Sequence, residues 1–128
     1  MSRTGHGLFR RGFTFVELMI VVSVIGLLAA LAIPNLVRAR ENSQLNVIYR
    51  NLRVLEGAKE QWAMENRKMN GDDVPDVSVL ADYLQGGQIH DVIKELYVPN
   101  PVGTPAGASL PTGVKLGPYP AGGFIPAP

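Results

Sequence analysis

From Leu18 to Val37 the chain runs without a charge, and one carboxylate, Glu17, stands at the start of that run. With Phe13 to Val16 added, the apolar stretch is long enough to cross a bilayer, which takes ~20 residues. Residues given to a membrane cannot build a core, so this run fixes the layout of everything after it. It also poses a problem. Moving a charged side chain to the bilayer centre costs roughly 2.5–3.5 kcal/mol on insertion scales, so a carboxylate inside a span is a functional residue by default. What pairs with Glu17 is the question the other residues must answer.

The charge distribution follows the same division. Arg3, Arg10 and Arg11 precede the run; from Phe13 onward the nine other Lys and Arg face eleven Asp and Glu, Glu17 included. The formal net charge of +1 therefore comes from the first twelve residues. No basic patch interleaved with aromatics is present, which removes support for nucleic-acid binding. The chain has no cysteine, so disulfides and thiolate metal sites are excluded. Once the first 37 residues go to targeting and membrane, about 90 remain, enough for only a thin core that needs support from a long helix or a partner.

In chain order, residues 1–12 are short, basic and glycine-rich and read as a cytoplasmic leader. Arg10 and Arg11 hold that end in the cytoplasm under the positive-inside rule. Residues 13–37 form the membrane half of a helix, with Gly26, Ala29, Ala30 and Ala32 giving a face that another helix can approach closely. Pro34 removes a backbone donor and is expected to kink or locally open the helix.

Residues 38–70 turn amphipathic. Leu45, Ile48, Leu52, Leu55, Trp62 and Met69 recur at helical spacing, flanked by Ala58 and Ala63 and interrupted by Lys59 and Asn66. Glu56 and Lys59 make a favourable i,i+3 pair, whereas Glu56 and Glu60 repel. With no stop before Asn70-Gly71, a helix from Phe13 to about Met69 would be roughly 85 Å long at 1.5 Å per residue. That length suits a spine under a small head, residues 71–128.

In the head, Asn70-Gly71-Asp72-Asp73 is a turn. A short amphipathic helix follows over Ser78–Gln85, with Val79, Leu80, Tyr83 and Leu84 inward, ended by Gly86-Gly87. Gln88–Glu95 reads as a further helical turn, with a loop as the alternative. Leu96–Val98 and Val114–Leu116 have strand character, and the tail Gly117–Pro128 reads as extended and irregular.

Three plain readings compete for the N-terminus. Ala30-Leu31-Ala32 has the small-x-small form of a signal peptidase site, but Glu17 weakens that reading and Pro34 lies awkwardly beyond it. Arg10-Arg11-Gly12-Phe13 superficially fits a twin-arginine signal, with the same carboxylate against it. A single-pass anchor explains the span and leaves Glu17 without a role.

A fourth reading accounts for all of it. The stretch RRGFTFVELMIVVSVIGLLAALAIPNLVRAR closely resembles the class III signal of type IV prepilins and type II secretion pseudopilins. The elements that match are the basic leader, Gly12, Phe13, Glu17, the apolar run and Pro34. The resemblance covers about Arg10 to Glu41. It implies an α+β fold of lollipop form, a long N-terminal helix carrying a small head of short helices and a weakly defined antiparallel sheet. It further implies cleavage between Gly12 and Phe13 by a membrane prepilin peptidase, which also N-methylates Phe13. The new amine of Phe13 would then neutralise Glu17, across the interface with a neighbouring subunit or, before assembly, one helical turn away in the same chain.

The partners implied are further copies of the chain or other pilins, the peptidase, an inner-membrane assembly platform and the lipid bilayer; no cofactor is implied. The protein would sit in the inner membrane with its head in the periplasm, then in a periplasmic or extracellular filament. The calcium-binding loop of major pseudopilins has no clear counterpart, Asn100-Pro101-Val102-Gly103 being a distant echo, and the disulfide of many type IV pilins is absent. The compact head without a disulfide leans towards a pseudopilin, with a type IV pilin as rival. A secreted or anchored binding module is the alternative from another class.

No nucleophile elbow, phosphate loop or metal-ligand spacing occurs, and no enzyme is expected. His6 falls in the leader, His90 reads as a surface residue, and Asp72, Asp73 and Asp76 read as a solvated turn lacking the pattern of a calcium hand.

Overall fold

Helix α1 (Phe15–Glu65) opens at a threonine. In the computed structural model, which describes residues 12–128, Thr14 Oγ1 accepts the Glu17 N–H at 3.2 Å. The Leu18 N–H bonds the Thr14 carbonyl at 3.2 Å. This is N-cap geometry, in which a hydroxyl satisfies a first-turn amide that has no partner within the helix. The cap explains why the helix starts at Phe15 and not at the expected Phe13. Arg10, Arg11 and His6 lie outside the described residues.

Contacts divide the chain into two units, meeting between Leu36 and Val37. In the first, every large apolar side chain of α1 is exposed. Its polar side chains bond the helix itself. Ser23 Oγ donates to the Met19 carbonyl at 2.7 Å, and Asn35 Nδ2 to the Leu31 carbonyl at 3.2 Å. Such back-bonding gives the Ser23 hydroxyl and the Asn35 amide N–H an acceptor within the helix. α1 runs through Pro34.

The second unit is built on the face of α1 that carries Ile48, Leu52, Leu55, Ala58, Trp62 and Ala63, all buried. Against it lie Val74, Leu80, Leu84, Tyr97, Ala108, Leu116 and Ile125 in one continuous apolar cluster. Two stripe expectations need correction. Lys59 does not interrupt the buried face but belongs to it, at 1% exposure, and Met69 is 78% exposed.

Met69 is exposed because the helix has already ended. The Lys68 N–H bonds the Ala63 carbonyl at 2.8 Å and the Arg67 N–H the Met64 carbonyl at 3.4 Å. With Arg67 at φ 53, these crossed bonds form a Schellman cap, four residues ahead of the Gly71 expected to stop the helix. Lys68 Nζ then lies 5.7 Å from the centre of the Trp62 ring, within cation–π range.

The short helix expected over Ser78–Gln85 forms as a 3₁₀ helix over Val77–Tyr83. Asp76 Oδ1 accepts the Val77 N–H at 2.6 Å. At three residues per turn Val77, Leu80 and Tyr83 fall in line, so Leu80 is buried and Val79 is exposed. No helix forms over Gln88–Glu95. There the Glu95 carboxylate takes the Val92 and Ile93 N–H groups itself, offering the backbone a partner other than a helix.

The sheet is antiparallel in the order β1 (Leu96–Val98), β2 (Gly107–Ser109), β3 (Phe124–Pro126). Tyr97, Ala108 and Ile125 align across it as its buried row. On the other face the Phe124 ring occupies the space a Cβ at Gly107 would take, so a larger residue there would displace the ring. Leu96–Val98 is a strand as expected, whereas Val114–Leu116 is not. Leu116 makes only an isolated bridge to Tyr119, closed by paired backbone bonds of 3.1 and 3.0 Å. The tail read as irregular contains β3. The α+β class holds: a long N-terminal helix with a small antiparallel three-stranded sheet.

Candidate functional site

Gly12, Phe13 and Thr14 precede the first turn of α1 in non-helical, exposed backbone. Phe13 is 79% exposed. A Cβ placed on Gly12 would meet no atom within 4 Å, so nothing in this fold requires glycine there. Glu17 follows in the first turn, also exposed. A carboxylate at that end of a helix interacts favourably with the macrodipole. Thr14 and Glu17 together have the Thr-x-x-Glu spacing of a capping box; that spacing was the sequence signal for the cap. Thus Gly12, Phe13 and Glu17 fall together around one helix start. Pro34 lies near the far end of the apolar segment.

Behind this start, α1 is long and apolar enough to cross a membrane, and no residue of its most apolar window is buried. Gly26 has no atom within 4 Å of a Cβ position. A mid-helix glycine costs about 1 kcal/mol relative to alanine, and contacts within the chain give nothing in return. Ala29, Ala30 and Ala32 continue the run of small residues.

The second unit has two polar clusters: sequence reasoning did not single out the one around Glu95, and it gave the Glu56–Lys59 pair of the other without its burial or its loop partners. Glu95, at 5% exposure, accepts the Ile93 N–H at 2.8 Å and the Tyr97 hydroxyl at 2.7 Å. Asn51 Nδ2 on α1 donates to Tyr97 Oη at 2.9 Å and to the His90 carbonyl at 3.0 Å. Burial pushes the Glu95 carboxyl up, but the Ile93 amide, the Tyr97 hydroxyl, and the amides of Glu95 and Val92 outweigh it. The result lies below the usual carboxylate range. Burial, opposed by the Asn51 bond and helped by the Glu95 carboxylate, pushes the Tyr97 phenol up. The second cluster centres on Lys59 and Glu56, 3.0 Å apart on α1.

His90 is exposed. Asp72 and Asp76 serve local backbone, Asp72 Oδ2 accepting the Met69 N–H at 2.9 Å. Among the described residues no group of His, Asp and Glu is arranged to hold a metal ion.

An exposed Gly-Phe thus stands ahead of a helix that is apolar and long enough to cross a membrane. The model for the prokaryotic N-terminal methylation motif matches residues 9–33. The type II secretion system core protein G of Klebsiella pneumoniae is 36% identical over 59 residues, 46% of this chain and 42% of that one. The type IV major pilin protein PilA of Myxococcus xanthus is 46% identical over 55 residues, 43% of this chain and 25% of that one. The type IV wide pilus major component PilA4 of Thermus thermophilus is 32% identical over 69 residues, 54% of this chain and 53% of that one. The chain therefore spans between about a quarter and a half of the length of these curated relatives. No solved structure matches it. The resemblance drawn from the sequence is borne out: over its N-terminal part this chain is similar to type IV pilins and type II secretion core proteins.

Proposed function

We propose that the chain is a structural filament subunit, cut between Gly12 and Phe13 by a prepilin peptidase, N-methylated at Phe13 and polymerised through its N-terminal helix. It carries out no reaction of its own. The observation behind this reading is that every large apolar side chain from Phe13 to Val37 is uncovered, behind an accessible bond whose glycine the fold does not need. An apolar surface of that extent requires an environment. Lipid supplies it before assembly, and neighbouring subunits supply it afterwards.

The parts then have separate tasks. Residues 1–12 are the leader, with Arg10 and Arg11 keeping that end in the cytoplasm. Residues 13–37 anchor the subunit and later pack in the filament core, where Gly26 and the alanines admit a neighbouring helix. Pro34 is the point at which that helix can bend. Residues 38–70 carry the head, residues 71–128, on the periplasmic side. The Phe13 amine released by cleavage pairs with Glu17 of a neighbouring copy, which offsets the cost of a carboxylate in lipid and sets the register. An assembly platform in the inner membrane moves subunits from bilayer to filament. Type II secretion and type IV pilus proteins both stand among the relatives, so the proposal covers a pseudopilus or a pilus.

The test is Gly12→Lys in cells that hold a prepilin peptidase. The substitution should leave the fold unchanged, because the position is open, and should leave the leader attached. Normal cleavage of this variant would overturn the peptidase assignment.

A further inference from the structure

The connection between β1 and β2 runs Pro99-Asn100-Pro101-Val102-Gly103-Thr104-Pro105-Ala106. Three of these residues are prolines and carry no N–H, so the segment has more carbonyl acceptors than amide donors. Asn100 at φ 53 and Gly103 at φ 83 fold it back on itself. The Asn100 side chain supplies one missing donor, Nδ2 reaching the Pro105 carbonyl at 2.7 Å.

Lys59 supplies the others. Its Nζ lies 2.6 Å from the Thr104 carbonyl oxygen, 3.0 Å from the Pro99 carbonyl oxygen and 3.0 Å from Glu56 Oε1. Three acceptors match the three donors of an ammonium group, leaving none unpaired. Glu56 Oε1 also accepts the Ala106 N–H. The ammonium thus joins the start of the connection, its far side and the helix at one point, while its side chain is only 2% exposed. A charge is held at such burial only when it is paired and fully hydrogen-bonded. Beside it a cavity of about 450 Å³ is lined by Glu56, Glu60, Val102, Thr104 and Pro105 among others. The cavity adds a second carboxylate and a route by which small molecules can reach the cluster.

We propose that the β1–β2 connection is a cation-binding loop whose resident cation is the chain's own Lys59 ammonium. The loop is short of donors, its carbonyls converge with a carboxylate, and the lysine fills the position a free cation would otherwise take. Two consequences follow from the geometry. The ordered form of the loop does not depend on an added ion, and removing the lysine side chain opens the site to a small alkylammonium.

The test uses the full chain in detergent micelles, with thermal unfolding read from Trp62, the only tryptophan and one helical turn beyond Lys59. Lys59→Ala is expected to lower the midpoint by more than about 10 °C, as loss of a buried charged partner does in a small domain. n-Propylammonium, which restores the atoms removed, is expected to recover a large part of that loss. Neutral 1-propanol should not, and neither compound nor EDTA should shift the native chain. Equal recovery by 1-propanol would reduce the effect to space filling and overturn the proposal. So would no recovery by propylammonium, or a native midpoint lowered by EDTA.

Lys59→Met keeps the apolar length without the charge and decides the matter if Lys59→Ala does not fold. In that variant the Ala106 amide is expected to exchange with solvent about tenfold faster than in the native chain. Unchanged exchange and an unchanged midpoint would overturn the proposal.

Discussion

Thr14 Oγ1 accepts the Glu17 amide proton at 3.2 Å, so the carboxylate at the start of the apolar segment lies in the first turn of its own helix. The side chain that caps that turn is the hydroxyl of Thr14. Glu17 is therefore free to pair elsewhere without loss of the helix start. Replacing it by valine removes a favourable dipole interaction of about 0.3–1 kcal/mol and also removes a charge that is costly in lipid. Glu17→Val should insert into the membrane at least as well as the native chain and fail to form filaments. Filament yield by electron microscopy of sheared or purified fibres checks this, and normal yield would contradict the pairing.

Arg67 ends α1 in a left-handed conformation, φ 53, that costs a side chain roughly 1–2 kcal/mol relative to glycine. Arg67→Gly should therefore stabilise the second unit by about 1 kcal/mol, after allowance for the extra freedom glycine has in the unfolded chain. Thermal or urea unfolding of the full chain in micelles measures it. A destabilised variant would mean that the Arg67 side chain contributes more than its backbone costs.

Glu95 makes stability depend on acid. Its folded pKa lies below the ordinary value, and an unfolded glutamate titrates near about 4.3. The stability it contributes is fully present above that unfolded value and is lost as pH falls from there through the depressed folded value. The unfolding midpoint should accordingly hold from neutral pH to about pH 5 and decline below about pH 4. Glu95→Gln should be less stable at neutral pH by about 1–3 kcal/mol, because amide donors lose a charged acceptor, and should show a shallower acid decline. An acid profile identical to that of the native chain would contradict this role.

The sequence was most informative where one-dimensional spacing carries the physics. A run without charge, a carboxylate at its start and a glycine–phenylalanine pair before it are all local features, and the helix core face of Ile48, Leu52, Leu55 and Trp62 follows from period alone. Reading failed where partners are distant in the chain. Lys59 looked like a break in the apolar stripe because its carbonyl partners lie 40 and 45 residues away. Glu95 gave no sign of burial, since its satisfaction depends on a turn of the backbone at residues 92–95. The central strand Gly107-Ala108-Ser109 has no β-branched residue to announce it; it is a strand because small residues fit beneath Phe124 and above the core. β3 was hidden in a tail whose prolines and glycines suggested irregular chain.

Some local signals were present and went unused. Thr14 and Glu17 have capping-box spacing, which would have set the helix start at Phe15. The Schellman cap at Arg67 carries no glycine and had no such signal.

The central claim is that one bond is cut before the apolar segment can assemble, and the mass of the mature N-terminal peptide tests it most directly. Chain purified from membranes or filaments should begin at Phe13 and carry one N-methyl group. A mature chain that begins at Ile33, or one that retains Gly12 and the residues before it, would contradict the account.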